Sequence, residues 1–216
     1  MQYNIHRPFH IYDGHTYFIT ARTYNQVPYF STHERKQIFI DTLRNAIERF
    51  DIKLYGWSLL HNHYHMMFGF GGMTDFVPQS VTPHTDSDNA LIERSDELRN
   101  EIRYDQHLRK YQLVEFIRKL HKDTSRKLNH LDTTSGRKVW YQYWDYCIRN
   151  KADFWRHFNY IVQQPLKHGI VRSLREAFEY DYSSNPIWKE RFGAEGLWES
   201  FVKYPVTDWT PSDGVL

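Results

Sequence analysis

The sequence contains a single cysteine, Cys147, among its 216 residues. One cysteine excludes an internal disulfide and a zinc site built from several thiolates, and it favours a reducing compartment, which we expect to be the cytoplasm. No apolar run of about 18 residues occurs, so no transmembrane helix is expected, and the first residues lack the apolar stretch of a secretory signal. Ten glycines and eight prolines are too few for a fibrous or low-complexity chain.

An excess of one charge is also missing, since 28 Lys and Arg nearly balance 26 Asp and Glu to give a net charge of +2. The charges are unevenly distributed, however. Residues 71–102 contain seven acidic and two basic side chains, whereas residues 103–127 contain eight basic and three acidic ones. The abundant residues are the aromatics, at 17%, and the histidines, which number 13. The total charge therefore says little about binding partners, and the position of the charges says more.

The hydrophobic periodicity before residue 71 predicts a mixture of strands and one helix. The predicted elements are a strand at 15–23, a helix at 32–50 with a capping box from Ser31 to Glu34, and strands at 52–57 and 58–70 with a bend near Gly56. Strand, helix, strand, strand is the opening of a ferredoxin-like unit. We therefore expect an α+β fold with an antiparallel, ferredoxin-like sheet and helices packed on it.

The rest of the chain is less regular. Residues 71–102 are rich in Gly, Pro and small polar residues, and we expect an insertion or a long connection there. The next predicted elements are a helix at 103–129, an aromatic strand at 138–148, and a helix that begins at the cap Asn150 and is stopped after Gln164 by Pro165. Loop with short helical pieces is expected from Arg172 onward. The predicted domain is 1–184, and 185–216 form a C-terminal tail.

Three histidines alternate along the predicted strand at 58–70. Residues two apart share one face of a strand, so His61, His63 and His65 are expected to project in the same direction. Neutral imidazoles at this spacing can approach one divalent cation, for which they are good ligands. The alternative is a row of polar side chains on a solvated strand face. The density of histidines favours metal binding.

The helix predicted at 150–164 separates one tyrosine from its apolar residues. The apolar stripe is centred on Phe158, whereas Tyr160 falls about 200° away, on the opposite face. Arg156 and Gln164 lie one turn before and one turn after this tyrosine. Tyr160 is therefore either an exposed surface residue or a positioned phenol. A phenol is a weak nucleophile toward phosphorus, and a cation that polarises the phosphate would assist it.

Two segments resemble the REP-associated tyrosine transposases, which belong to the single-strand DNA transposases. The first is Asn62-His63-Tyr64-His65-Met66-Met67, which is similar to the family's His-hydrophobic-His (HUH) motif. The second, residues 144–150 with 158–171, is similar to the family's tyrosine helix. The two motifs occur in the family's order, and the resemblance covers residues 15 to about 184.

The resemblance implies both a fold and a chemistry. It implies a ferredoxin-like sheet with His63 and His65 on a central strand, where they and Gln164 would hold a divalent metal, Mg²⁺ or Mn²⁺. It makes Tyr160 the catalytic nucleophile, which would form a 5′-phosphotyrosine link to single-stranded DNA. The expected partner is single-stranded DNA that carries a hairpin. The chain departs from the family's usual Asn-Pro at Gln164-Pro165 and has His61 where Pro is common.

Cations suited to phosphate contacts lie on the basic helix and around the tyrosine helix. The candidate DNA-binding residues are Arg118, Lys119, Lys122, Arg126, Lys127, Arg149, Arg156, Lys167 and His168. For the residues of the basic helix, the alternative is a solvated surface. Tyr141, Tyr143 and Tyr146 alternate along the aromatic strand and could stack on bases, although most of the aromatic surplus is expected in the core.

The leading hypothesis is a metal-dependent single-stranded DNA endonuclease and strand transferase. One alternative is a non-catalytic DNA-binding protein derived from such an enzyme, against which the intact His63, His65 and Tyr160 argue. Another is a zinc hydrolase built on His61, His63 and His65, which leaves Tyr160 and Gln164 without a role.

Overall fold

The structure, a computed structural model, describes residues 16–71 and 95–206, together with their side chains except those of 95–110. The strands are β1 (Tyr17–Thr23), β2 (Ile52–Leu59), β3 (His63–Phe70) and β4 (Trp140–Cys147). The helices are α1 (His33–Phe50), α2 (Ser95–Leu131), α3 (Lys151–Lys167), α4 (Leu174–Ala177) and α5 (Asn185–Lys203). A short 3₁₀ turn follows β1 at Tyr24–Gln26.

The four strands form one antiparallel sheet in the order β2-β3-β1-β4. β1 and β3 are therefore the central strands, and β4 is an edge strand. With α1 between β1 and β2 and α2 between β3 and β4, this is the ferredoxin-like arrangement that the sequence predicted. The α+β prediction and the central position of the histidine strand are confirmed.

Alternation along the strands divides the core between the two faces of the sheet. Tyr64, Met66 and Phe68 of β3 pack with side chains of α1 and α2, such as Phe39 and Phe116. The opposite face packs on α3, through Phe18 and Met67 of the sheet and Phe158 and Ile161 of the helix, among others. His63 and His65 belong to the same alternation as Met67, so they face α3.

The turn between β2 and β3 is not where the sequence placed it. The bend predicted near Gly56 is wrong, because β2 continues to Leu59 and the turn follows at 60–62. Gly56 instead adjoins a shift in the pairing of β2 with β3. A Cβ atom there would lie 3.4 Å from Phe158 of α3, so glycine lets the helix approach the sheet closely. The cap of α1 is Thr32 rather than Ser31, and its side chain accepts a bond from the backbone of Arg35.

Three helices are longer than predicted. α2 begins at Ser95, inside the segment expected to be an insertion, and residues 72–94 of that segment lie outside the described residues. α3 runs through Pro165 to Lys167, because a proline in the last turn removes only one helical hydrogen bond. Residues 185–203 form α5, where loop with short helical pieces was predicted. Trp188 of α5 packs edge-on against Phe158, with 5.2 Å between the ring centroids.

Within the residues that the structure describes, no helix has both the length and the apolar character needed to cross a membrane.

Candidate functional site

The candidate site contains two histidines of β3, His63 and His65. The ring centroids of His63 and His65 lie 5.2 Å apart on the face of β3 that packs on α3. Nδ1 of His63 lies 2.7 Å from Oδ1 of Asn62, whose amide nitrogen donates to the carbonyl of Gln26. Because an amide oxygen only accepts, Nδ1 of His63 carries the proton and Nε2 keeps a lone pair. That lone pair is the kind that binds a metal.

His65 is the more deeply placed of the two, with 1% of its surface exposed. Its Nδ1 lies 2.8 Å from Oγ1 of Thr20, which stands opposite it on β1. In the tautomer whose Nδ1–H donates to Thr20, Nε2 holds the lone pair. That atom has no hydrogen-bond partner among the described residues. The alternative that this histidine lies on a solvated strand face is wrong.

The third histidine of the sequence pattern does not join the pair. His61 lies in the turn before β3 and is exposed, so the prediction that all three imidazoles share a strand face is wrong for it. The strand begins only at His63, because Leu60 and His63 close the turn with a backbone hydrogen bond of 2.8 Å.

Two faces of helix α3 are buried, whereas the sequence predicted burial of its apolar face alone. The second face carries Asp153, His157, Tyr160 and Gln164, which are 6%, 2%, 1% and 0% exposed. These residues follow each other at intervals of about one turn, so they form a buried polar stripe beside the apolar one. The alternative that Tyr160 is an exposed surface tyrosine is therefore wrong. Arg156, one turn before Tyr160, is exposed.

Tyr160 lies directly against the histidine strand. Its ring stands nearly perpendicular to that of His65, at 87°, with 5.1 Å between the centroids. Phe18 of β1 stacks with His65 at 5.8 Å and meets Tyr160 edge-on at 6.0 Å, so it packs against both rings. Nζ of Lys167 lies 5.0 Å from the centroid of the Tyr160 ring. α3 and β3 thus bring together the two motifs that are about 95 residues apart in the sequence.

Gln164 completes the buried part of the site. Its amide nitrogen donates to the backbone carbonyl of Tyr160 at 2.9 Å, which directs Oε1 the other way. Oε1 is buried and has no hydrogen-bond partner among the described residues. Gln164 lies close enough to His65 to raise the pKa of that imidazole, against the larger lowering that burial causes. In the tautomer whose Nδ1 carries the proton, His65 therefore presents the lone pair of Nε2 near the buried Oε1 of Gln164.

Electrostatics keep both strand histidines neutral. Burial, followed by the nearby His168 and Lys167, lowers the pKa of His63 to about 3. Burial also lowers the pKa of His65 well below its usual value, and His63 and His168 add to the effect. A neutral imidazole is the form that ligates a metal, so both residues are ready for that role at neutral pH.

The exposed rim of the site consists of the last residue of α3 and the residue that follows it. The ring of His168 meets that of His63 at 4.6 Å between centroids, and Lys167 covers Tyr160. Both residues were predicted to contact DNA, and both are exposed beside the buried pair. Arg149 lies at the opposite end of α3 from Lys167, where its Nε is 3.3 Å from Oδ2 of Asp153.

The predicted basic track on α2 lies across the sheet from His63 and Tyr160, because α2 packs on the other face. Several of its cations are engaged within the protein. Arg118 pairs with Glu115, Lys119 and Arg126 pair with Asp123, and Lys127 donates to Thr42 of α1. Lys122 and Arg118 line an open groove between α2 and β4.

Sequence reasoning missed two residues of the site and the role of a third. Thr20 and Phe18 come from β1, and no feature of their own sequence marks them. Asn62 was part of the motif, but its hydrogen bond to His63 was not foreseen. The polar stripe of α3, in contrast, had a signal, because Asp153, His157, Tyr160 and Gln164 follow a helical repeat.

The site offers a cation neutral lone-pair atoms rather than a cage of charged ligands. No group of three His, Cys, Asp or Glu side chains in the described part of the chain is arranged to hold a metal ion. The donor set that the site offers is two imidazoles and a carboxamide oxygen, His63, His65 and Gln164. Nitrogen and oxygen ligands of this kind suit a borderline or hard divalent ion and leave positions for substrate oxygens.

Comparisons with known proteins establish the fold. No protein-family model matches the sequence, and no curated protein matches it. Among solved structures, the chain is similar to that of a REP-associated tyrosine transposase bound to a REP hairpin. The TM-score is 0.53, and the match covers 93% of this chain and 88% of that chain at 20% sequence identity. The chain therefore has the fold of that protein, an antiparallel four-stranded sheet with packed helices.

Proposed function

We propose that this chain, which has the fold of a REP-associated tyrosine transposase, is a metal-dependent single-stranded DNA endonuclease and strand transferase. The observation that carries the proposal is the contact between Tyr160 and His65, beside the unpartnered Oε1 of Gln164. In this proposal a nucleophile and a set of cation ligands share one buried site, an arrangement that would assist attack on a phosphodiester.

The reaction proposed for Tyr160 is a transesterification. Its phenolic oxygen attacks the scissile phosphorus, the bond from phosphorus to the 3′ oxygen breaks, and a 5′-phosphotyrosine link forms. The phenolic proton passes to solvent, and the departing 3′ oxygen takes up a proton. A second 3′-OH that attacks the phosphotyrosine reverses these changes, which joins the strands and regenerates the phenol.

His63, His65 and Gln164 are the residues that would hold Mg²⁺ or Mn²⁺. A divalent cation bound there supplies positive charge to a phosphate oxygen. The chain itself orients the ligands, through Asn62 for His63 and Thr20 for His65. Nζ of the exposed Lys167 lies 5.0 Å from the centroid of the buried Tyr160 ring, so the lysine lies beside the proposed point of attack. An ammonium group at that position is suited to pair with the entering phosphate.

The proposed substrate is single-stranded DNA with a hairpin. The REP hairpin bound to the similar solved protein supports this choice, together with the cations Lys167 and His168 at the rim of the site. The two proteins share a fold at 20% sequence identity, which does not fix the DNA sequence that this chain would cut. Selection from a library of hairpins would identify that sequence.

The test is capture of a covalent protein–DNA adduct. Wild-type protein incubated with hairpin DNA and Mn²⁺ should yield an adduct that survives a denaturing gel, with the DNA linked through its 5′ phosphate to Tyr160 in mass spectrometry. Tyr160→Phe should yield neither adduct nor cleavage. Tyr146→Phe is the control, because that tyrosine lies nearby on β4, bonded to Asp153, and should still form the adduct.

Each other outcome points to a different function. An adduct on Tyr146 or Tyr64 would refute the assignment of the nucleophile. Cleavage by Tyr160→Phe without an adduct would refute the covalent mechanism in favour of attack by water. Tight hairpin binding with no cleavage by wild type, in Mg²⁺ or Mn²⁺, would favour the non-catalytic DNA-binding protein.

A further inference from the structure

A group of aromatic rings and cations lies at the end of the sheet beside the histidine strand. We define the aromatic platform as Arg22, Tyr24, Lys138, Tyr141 and Trp144. The rings form a chain, with 6.3 Å between the centroids of Tyr24 and Tyr141 and 6.4 Å between those of Tyr141 and Trp144. The guanidinium of Arg22 lies 5.2 Å from the Tyr141 ring and 5.1 Å from the Trp144 ring.

The pairing of the strands places this platform on the same sheet face as the proposed cation site. Arg22 stands opposite His63, and Trp144 and His65 both stand opposite Thr20, on either side of β1. Side chains in one such row share a face. The platform is therefore continuous with the site that contains Tyr160, and a strand of DNA that enters the site can pass over it.

A β-bulge gives Tyr141 its position. Tyr143 stands opposite Ala21 and faces α2, and strict alternation would send Tyr141 the same way. The pairing of β1 with β4 shifts between Ala21 and Thr23. That bulge turns Tyr141 toward Arg22 and Trp144, on the other face. Bulges at sheet edges commonly redirect a side chain in this way.

The platform is accessible and positively charged. Tyr24 and Tyr141 are 38% and 39% exposed, so a face of each ring is open to solvent. Nζ of Lys138 lies over both rings, at 4.6 Å from Tyr24 and 5.5 Å from Tyr141. Because β4 is an edge strand, Tyr141 and Lys138 also border the groove between α2 and β4 on its other side, and Arg118 and Lys122 line the same groove. Exposed rings interleaved with cations match the bases and phosphates of a single strand.

We propose that the aromatic platform binds single-stranded DNA next to the scissile phosphate, with bases stacked on Tyr141 and its neighbouring rings and phosphates paired with Lys138 and Arg22. The inference rests on the proposed function for the identity of the partner. It adds a place for the flanking nucleotides, which neither sequence motif assigns. Stacking on π-faces tolerates any base, so the platform contributes affinity rather than sequence selection.

The test measures binding of fluorescein-labelled oligothymidylate, about 12 nucleotides long, and of an abasic strand of the same length. EDTA is present, so neither the cation nor cleavage enters the measurement. Wild type should bind oligothymidylate roughly tenfold more tightly than the abasic strand. Tyr141→Ala should remove about tenfold in affinity for oligothymidylate and leave binding of the abasic strand unchanged. Tyr141→Phe should bind both strands as wild type does.

The matched control is Tyr111→Ala, since Tyr111 is a 66% exposed tyrosine of α2 outside the platform. Tyr24→Leu is the second platform variant and should behave like Tyr141→Ala, with folding of each variant checked by its melting temperature. Equal losses for both strands, or none, in the two platform variants would overturn the proposal. So would tighter binding of oligouridylate than of oligothymidylate. Adduct formation by wild type without any effect of Tyr141→Ala would overturn the platform and leave the proposed function standing.

Discussion

Oγ1 of Thr20 lies 2.8 Å from Nδ1 of His65, and this contact joins the two central strands of the sheet at the proposed cation site. It fixes the orientation of a buried imidazole whose other nitrogen has no partner in the described part of the chain. Hydrogen bonds of this kind commonly set the affinity of a histidine for its metal. In the proposed site, Thr20 would therefore orient a metal ligand, although nothing in its sequence context identifies it.

The first prediction concerns that hydrogen bond. Thr20→Val keeps the shape of the side chain and removes the hydroxyl, so affinity for Mn²⁺ should fall by about 10- to 100-fold. Titration calorimetry measures this change. Thr124→Val is the control, because Thr124 is also buried and donates to the backbone of Leu120, far from the site. It should lose about 1 kcal/mol of stability and keep wild-type affinity for Mn²⁺.

The second prediction separates the two metal hypotheses. A ligand that binds only the folded state raises the melting temperature, by roughly 5–10 °C when Mn²⁺ is present at about a hundred times its Kd. His63→Ala, His65→Ala and Gln164→Leu should each abolish most of that rise. His61→Ala should preserve it, because His61 is exposed in the turn before β3. A rise that depends on His61 but not on Gln164 would instead support a site of three histidines.

The sequence predicted the sheet and the two motifs because alternation and helical repeats are local properties of the chain. His63 and His65 could be placed on one face from their spacing alone. The residues that surround the two histidines could not be predicted, because the neighbours of a strand depend on how the strands pair. Thr20 and Arg22 were therefore identified only from the structure. The bulge that redirects Tyr141 also depends on the partner strand. The burial of Tyr160 was missed because α3 lies between the sheet and α5, so two faces of this helix are covered rather than one.

The third prediction concerns acid. His121 stacks on Trp140 at 4.6 Å and bonds through Nε2 to the hydroxyl of Tyr64 at 2.9 Å. Burial lowers its pKa to about 3, against about 6.5 in the unfolded chain. The unfolded state therefore takes up the proton first, so the contribution of His121 to stability is complete above pH 6.5 or so and declines from there to about pH 3. His63, with its pKa also lowered to about 3, acts in the same direction.

His121→Gln should accordingly make the urea midpoint less dependent on pH between about 6.5 and 4, even though it lowers the midpoint at neutral pH. The measurement is a series of urea unfolding curves at fixed ionic strength. His130→Gln replaces an exposed histidine of the same helix and should leave the dependence as in wild type. The prediction fails when His121→Gln and wild type lose stability in parallel on acidification.

The last prediction asks which cations of α2 contact DNA. Lys122 lines the groove that leads from the aromatic platform, whereas Lys119, three residues earlier, lies 2.7 Å from the carboxylate of Asp123. Each phosphate contact to a single strand contributes about 0.7 to the slope of log affinity against log salt, since counterions are released on binding. Lys122→Gln should therefore reduce the slope for oligothymidylate by about that amount, and Lys119→Gln should leave it unchanged. Affinities measured between about 50 and 200 mM salt give both slopes. Equal slopes for wild type and Lys122→Gln would mean that the DNA strand leaves the protein before it reaches α2. A changed slope for Lys119→Gln alone would mean that the DNA follows the outer face of α2 instead of the groove.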